Sequence, residues 1–407
     1  MIIKKVIAKA VRDSRGEKTI LIIVKTSRKF KTSAPEGKST GKYEAKPYSK
    51  NLTSDISYVN ELDVNNLNKI IKKHKVKTIA QAFLILQDIE KIIKNKIGAN
   101  SLFALEASLL KALAYENKKE LWEFLGGKKE NTKKIRPVGN AIGGGLHGEG
   151  IKKKEPDFQE FLFIPNGKNF SENVEINEIA HKFAGKILKS WTKNDEGAWL
   201  TGKTNEEVLM VLDKIRQIIK NEYKKEIDIG VDIASSSFYK NGNYYYKNPE
   251  VDLNKKHQIL YINELIRRYK LFYVEDPFDE NDFNGSKELL KEIEKSKNKE
   301  TKNCLIVGDD LTTTNPERLK KAIKTKSINA VIVKPNQIGS LLKAKEVIEI
   351  ARKCKIKTIM SHRSGETKDS TIADLAIAWN CDFIKTGIYG KVRTRKLRRI
   401  IEIENGK

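Results

Sequence analysis

From residue 227 onward the chain alternates short apolar runs with amphipathic stretches. The runs are 227–231, 271–274, 304–307, 330–333, 357–360 and 381–384. Just past them sit Asp232, Glu275, Asp309, Lys334, His362 and Lys385. The gaps between runs leave room for one loop, one helix and one return loop. Buried runs that alternate with helices predict a parallel α/β sheet. Polar residues at the exit ends of successive strands are the pattern of a barrel that works at that face. An open doubly wound sheet is the competing fold, but no GxGxxG follows its first strand.

The first part of the chain has a different rhythm. Residues 19–24 form a β-rich run behind the turn residues Ser14-Arg15-Gly16. A loop rich in Gly, Ser and Pro follows over 32–41. Apolar residues spaced by three and four (Ile79, Ala82, Phe83, Leu86, Ile89, Ile92, Ile93) predict a helix within 78–97. Residues 101–115, rich in Ala and Leu, predict another. The polar stretch 126–134 reads as a linker, and Pro137 opens the second pattern. The expected organisation is an N-terminal α+β capping domain over 1–132 and an α/β barrel over 133–407.

A length of 407 residues suits two domains. A hydrophobic share of 39% supplies a core, which excludes a disordered chain. No stretch approaches the ~20 apolar residues of a bilayer span. The start, Met1-Ile2-Ile3-Lys4-Lys5, has no apolar block or cleavage site of a signal peptide, so a cytoplasmic protein with no membrane partner is expected. Cys304, Cys354 and Cys381 are scattered and odd in number, and read as inert thiols in a reducing compartment. The formal charge of +26 comes from lysines spread along the whole chain. Short basic runs, including 391–399, come without a nucleic-acid-binding motif. They read as solvated helix faces, and nucleic acid is not an expected partner.

Asp232, Glu275 and Asp309 end three consecutive predicted strands, which a barrel brings to one face. Converging carboxylates without thiols or a histidine cluster suit a hard divalent cation, Mg²⁺ first. Lys334 and Lys385 emerge from their strands into the same place. A lysine among cations has a lowered pKa and works as a base near neutral pH. His362-Arg363-Ser364-Gly365-Glu366 offers a guanidinium fork and a hydroxyl for phosphate or carboxylate. Glu160 and Glu196 lie in predicted loops. Two acids held together can share a proton and form a general acid.

These strings resemble enolase, the lyase that interconverts 2-phosphoglycerate and phosphoenolpyruvate. The matching segments include Gly37-Lys-Ser39-Thr-Gly41, Gln159-Glu-Phe161, Asp195-Glu-Gly197, Val274-Glu-Asp-Pro-Phe278, Asn336-Gln-Ile-Gly339, Ser361-His-Arg-Ser-Gly-Glu-Thr367 and Ile384-Lys-Thr-Gly387. They are collinear with the family over most of the chain. The resemblance implies an α/β fold, an enolase-type (β/α)8-like barrel with irregular first units behind an N-terminal α+β domain. It implies a phosphopyruvate hydratase of glycolysis and gluconeogenesis with two Mg²⁺ per site, assembled as a dimer or higher homo-oligomer.

By the same resemblance, Asp232, Glu275 and Asp309 hold the first Mg²⁺ and Ser39 helps hold the second. Lys334 is the base at C2. Glu196, supported by Glu160, is the acid for loss of the C3 hydroxyl. Arg363 and Ser364 bind the phosphate, His147 and His362 line the site, and Lys385 holds the substrate carboxylate. A Lys base beside Mg²⁺ is the known pattern of the wider superfamily.

The chain departs from the family at several points. Glu36 and Lys38 replace small residues beside Ser39. The segment from His147 to Glu160 is longer than usual. The strings 14–22 and 387–394 are rewritten where family members pair, which bears on the dimer and leaves the chemistry intact. Two other readings stand beside the hydratase. One is a divergent enzyme acting on another carboxylic acid, against which Arg363-Ser364 argues. The other is a non-catalytic, RNA-associated relative, against which Lys334, Glu196 and the acids argue.

Overall fold

In the computed structural model, which describes residues 1–38, 41–147 and 154–406, three antiparallel strands come first. They are β1 (Lys5–Arg12), β2 (Lys18–Lys25) and β3 (Lys29–Ser33), in that order. Ile20, Ile22 and Val24 alternate with more exposed neighbours, so β2 buries one face. Helix Ala99–Glu116 covers that sheet. It is buried on most sides, as an Ala- and Leu-rich helix without a polar stripe must be. Helix Ile79–Ile93 starts at a capping box between Thr78 and Gln81, which satisfies its first free N–H groups.

The barrel strands are β4 (Arg136–Gly143), β5 (Glu160–Pro165), β6 (Ile227–Asp232), then β10 (Tyr273–Glu275), β11 (Leu305–Gly308), β12 (Ala330–Val333), β13 (Lys357–Ser361) and β14 (Phe383–Gly387). They close into a ring, with β14 beside β4 and β6 beside β10. Between β6 and β10 lies a small antiparallel sheet of β7 (Tyr239–Lys240), β8 (Asn243–Lys247) and β9 (Glu250–Asn254). Sequence patterning does not foresee that sheet. The ring also departs from an all-parallel sheet, because β5 runs antiparallel to both β4 and β6. The expected linker is a 3₁₀ turn, Lys129–Lys133, whose Asn131 Nδ2 donates to the Ile377 carbonyl 3.0 Å away.

The interior of the ring is apolar: Val138, Leu162, Ile164, Tyr273, Leu305, Val307, Ala330, Ile332, Ile359 and Phe383 pack together. Strand side chains alternate, so two residues beyond an inward apolar residue the chain again points inward. That rule delivers Asn140 after Val138, Glu275 after Tyr273, Asp309 after Val307, Lys334 after Ile332, Ser361 after Ile359 and Lys385 after Phe383. On reversed β5 the same stepping runs backwards, from Ile164 through Leu162 to Glu160. One end of the barrel is a hydrophobic plug and the other a ring of polar groups.

The N-terminal unit is fixed against that polar end. Its core is continuous with the apolar layer under barrel residues such as Val333, Leu341 and Ala373. Glu36 and Gly365 exchange backbone hydrogen bonds at 2.7 and 2.8 Å. A Cβ on Gly365 would lie 2.7 Å from the Glu36 backbone oxygen, too close for any side chain at this pairing.

Candidate active site

The polar end of the barrel holds a compact charge network. Lys385 Nζ, from β14, lies 2.9 Å from Asp232 Oδ2, 2.7 Å from Glu275 Oε2 and 2.9 Å from Glu160 Oε2. Glu160 and Glu275 flank Asp232 in direct register across β5, β6 and β10. Lys334 Nζ, one residue beyond β12, donates to Asp309 Oδ2. Gln337 Nε2 lies 3.3 Å from both Asp309 Oδ1 and Glu44 Oε1. Glu196, on the turn 194–198, accepts from Asn140 Nδ2 at 3.2 Å, and His362 Nε2 is 3.8 Å away. Glu44 Oε2 lies 2.9 Å from Arg363 Nη2, and the Lys38 N–H donates to Ser364 Oγ at 2.6 Å.

Burial decides how these groups hold protons. Asp232 is raised by burial, with the Lys385 ammonium opposing. Glu275 is driven well up by burial and then by Asp232. Asp276 also stands well above the usual range, through burial and its neighbours Asp310 and Asp309. Asp310 is pushed up to about 7 by burial and by Asp309. Asp309 goes the other way: burial alone would raise it, and Lys334, with Lys385 and Arg363 behind it, outweighs burial. Burial alone would lower Lys334, yet the carboxylates led by Asp309 bring it above its ordinary value. That is the balance among the protein's own groups; the lowering expected of Lys334 belongs to a mouth that holds cations. Among the protein's own charges, Asp309 acts on Lys334 most strongly, ahead of the Arg363 guanidinium.

This donor set fits a hard cation. Among the described residues, Glu275, Asp276 and Asp309 each offer an oxygen within 4.8 Å of the others. Glu275 Oε1 is buried without a hydrogen-bond partner, an arrangement that costs free energy unless a cation or donor meets it. Asp232 enters the group through its shared lysine.

The structure thus gathers Glu160, Glu196, Asp232, Glu275, Asp309, Lys334, His362, Arg363, Ser364 and Lys385 around one cavity. Glu160 begins a strand instead of lying in a loop. Ser39 lies outside the described residues. His147 ends the turn Gly145–His147, ahead of 148–153, which are outside the described residues too. Sequence reading did not assign roles to Glu44, Asn140, Gln159, Asp276, Asp310 and Gln337. Asp276 and Gln337 sit inside strings that signal the site. Glu44 carries no local signal, because it comes from the N-terminal unit.

Fold and mouth together define a capped barrel enzyme, equipped for acid–base chemistry on an anionic substrate. Residues 134–406 match the family model of the enolase C-terminal TIM barrel domain, and residues 3–125 that of the enolase N-terminal domain. The chain is 34% identical to the enolase of Thermoplasma acidophilum, covering 99% of this chain and 98% of that protein. It is 36% identical to the enolase of Archaeoglobus fulgidus, over 99% and 97% of the two chains. Against the enolase of Pyrobaculum aerophilum it is 40% identical over 76% and 72%. The chain belongs to the enolase family, and its reaction is the interconversion of 2-phosphoglycerate with phosphoenolpyruvate and water. It is thus a lyase of glycolysis, and the family implies Mg²⁺ as the cation. No helix among the described residues is long and apolar enough to cross a membrane.

Proposed function

We propose that the hydratase reaction runs on the residues of this mouth, with the chain divided at 132/133 into cap and barrel. The observation that carries the proposal is the setting of two lysines, the buried Lys385 and the half-buried Lys334, against one cluster of buried carboxylates. The C2 proton of 2-phosphoglycerate sits beside a carboxylate, so its removal adds negative charge to an anion. Lys334 takes that proton on Nζ. Lys385 faces the substrate carboxylate with a charge that its acidic neighbours hold in place: burial would lower it, and Asp232 and Glu160 bring it well above the ordinary range. Glu196, oriented by Asn140 and supported by Glu160, gives a proton to the departing C3 hydroxyl. Arg363 offers its guanidinium fork, and Ser364 its hydroxyl, to the phosphate. His362 lines the site.

Asp232, Glu275 and Asp309 would hold one Mg²⁺, and Ser39 would help to hold a second. When bound, Mg²⁺ supplies positive charge that offsets both the charge growing on the substrate and the carboxylates that keep Lys334 protonated. The substrate is small and anionic, and the assembly proposed is a homo-oligomer in the cytoplasm. Purified protein given 2-phosphoglycerate and Mg²⁺ is expected to show rising enol absorbance that stops when the metal is chelated. An inactive preparation that turns over another carboxylic acid would overturn the reading.

A further inference from the structure

We infer that Arg393 is a positioning residue: from behind the mouth it dictates which ring nitrogen of His362 carries the proton, and so what His362 presents to Glu196. The inference rests on the roles proposed above for Glu196 and His362.

Arg393 belongs to the basic run 391–399, which the sequence presents as a solvated helix face. The structure corrects that reading. Helix Lys391–Glu404 docks its first turns against the loop after β13, and Arg393 and Lys396 are each only 1% exposed. Lys396 Nζ bonds Glu366 at 2.6 Å and the Thr367 carbonyl at 2.7 Å. Arg393 Nη1 lies 2.7 Å from His362 Nδ1 and 2.5 Å from the Arg363 carbonyl, while Nη2 donates to the Ser364 carbonyl.

A guanidinium has only donors, and it keeps its proton in proteins. Its contact with Nδ1 therefore requires Nδ1 to be the bare nitrogen. A neutral imidazole carries its single proton on the other nitrogen, so His362 is fixed as the Nε2–H form. Nε2 is the atom 3.8 Å from Glu196 Oε2. A second proton on Nδ1 would face the arginine's own N–H. The charged groups about the ring are Arg393 and Lys396 from this helix, Lys385 from β14, Glu160 from β5 and Glu196 from its turn. Burial, then Arg393, hold the ring neutral, and Glu160 opposes.

The consequence is chemical. An Nε2–H donor cannot accept the proton of Glu196, so the imidazole does not drain the acid on which loss of the hydroxyl depends. The opposite tautomer would turn a lone pair toward Glu196 and compete for that proton. Lysine at 393 would preserve this device, being another donor without an acceptor. Methionine would fill much of the space and lose it.

The test is nitrogen NMR on protein labelled with ¹⁵N-histidine, with the His362 ring assigned by its loss in His362→Gln. The wild type is expected to stay neutral with the proton on Nε2 from about pH 5 to about pH 8. Arg393→Lys should keep that tautomer. Arg393→Met should show mixed tautomers or a charged ring, and kcat/KM should gain an acid limb near the ordinary histidine range, about pH 6.5. Its kcat should fall about tenfold, part of the 10²–10⁴-fold that a general acid supplies, with KM moving less. A wild-type ring protonated on Nδ1, or an Arg393→Met enzyme with the wild-type tautomer and pH profile, would overturn the inference. Should Arg393→Met fail to fold, the wild-type and Arg393→Lys spectra still decide. Turnover retained in Lys334→Ala would instead remove the site reading and leave the tautomer standing.

Discussion

Asp232 and Glu275 end neighbouring parallel strands in direct register, and both accept from the same ammonium, Lys385 Nζ. Side by side and buried, the two carboxylates repel each other, and Lys385 supplies the offsetting charge. Removing it in Lys385→Met is expected to destabilise the metal-free protein by about 3–5 kcal/mol, the usual cost of stranding buried charge. Mg²⁺ should then raise the melting temperature more in the variant than in the wild type, because it replaces the missing cation. Thermal unfolding with and without chelator checks this. Equal metal responses would mean that the lysine does not balance the acids.

Arg363 meets a carboxylate from the other unit, that of Glu44, with both side chains under a tenth exposed. Glu44→Ala leaves the guanidinium without that counter-charge, at a cost on the order of 3 kcal/mol. Inorganic phosphate should recover part of this loss by binding where the substrate phosphate is proposed to sit. The expected result is a larger phosphate-induced rise in melting temperature for Glu44→Ala than for the wild type. A smaller rise would place the phosphate elsewhere.

Much of this arrangement is legible in the sequence. Apolar runs followed by Asp232, Glu275, Lys334 and Lys385 mark strands whose next inward position is the mouth, and the two-residue alternation is a local property. Strand direction is not local. β5 runs backwards, so Glu160 precedes its apolar run where every other strand places its polar residue after. Glu44 reaches the site only through docking of the N-terminal unit. Arg393 and Lys396 sit in a run that looks solvated, because the sequence does not say which face of that helix meets the loop 362–367. The lowering of Lys334 that a cation-filled mouth implies does not come from the protein's own charges, because the strongest of them on Lys334 is Asp309, an anion.

His181 offers a check through pH. Its ring stacks on Trp199 and Tyr389, and its Nε2 lies 2.9 Å from the Gly197 carbonyl, next to Glu196. Burial lowers it to about 4. The unfolded chain takes up this proton near pH 6.5 and the folded chain only near 4, so stability is present above 6.5 and is lost as pH falls through that window. The loss is on the order of 3 kcal/mol. In His181→Phe the stability difference from the wild type should change with pH across that window, in the variant's favour toward acid. A difference independent of pH would mean that the histidine charges freely in the fold.

The proposed reaction begins with Lys334 taking the C2 proton, and isotope exchange reads that step alone. With Mg²⁺ in deuterated water, the wild type should exchange the C2 hydrogen of 2-phosphoglycerate. Glu196→Gln should still exchange it while forming little phosphoenolpyruvate. Lys334→Ala should fold as the wild type does and exchange it slower by the 10²–10⁴-fold typical of a lost general base. Exchange at the wild-type rate in Lys334→Ala would contradict the account.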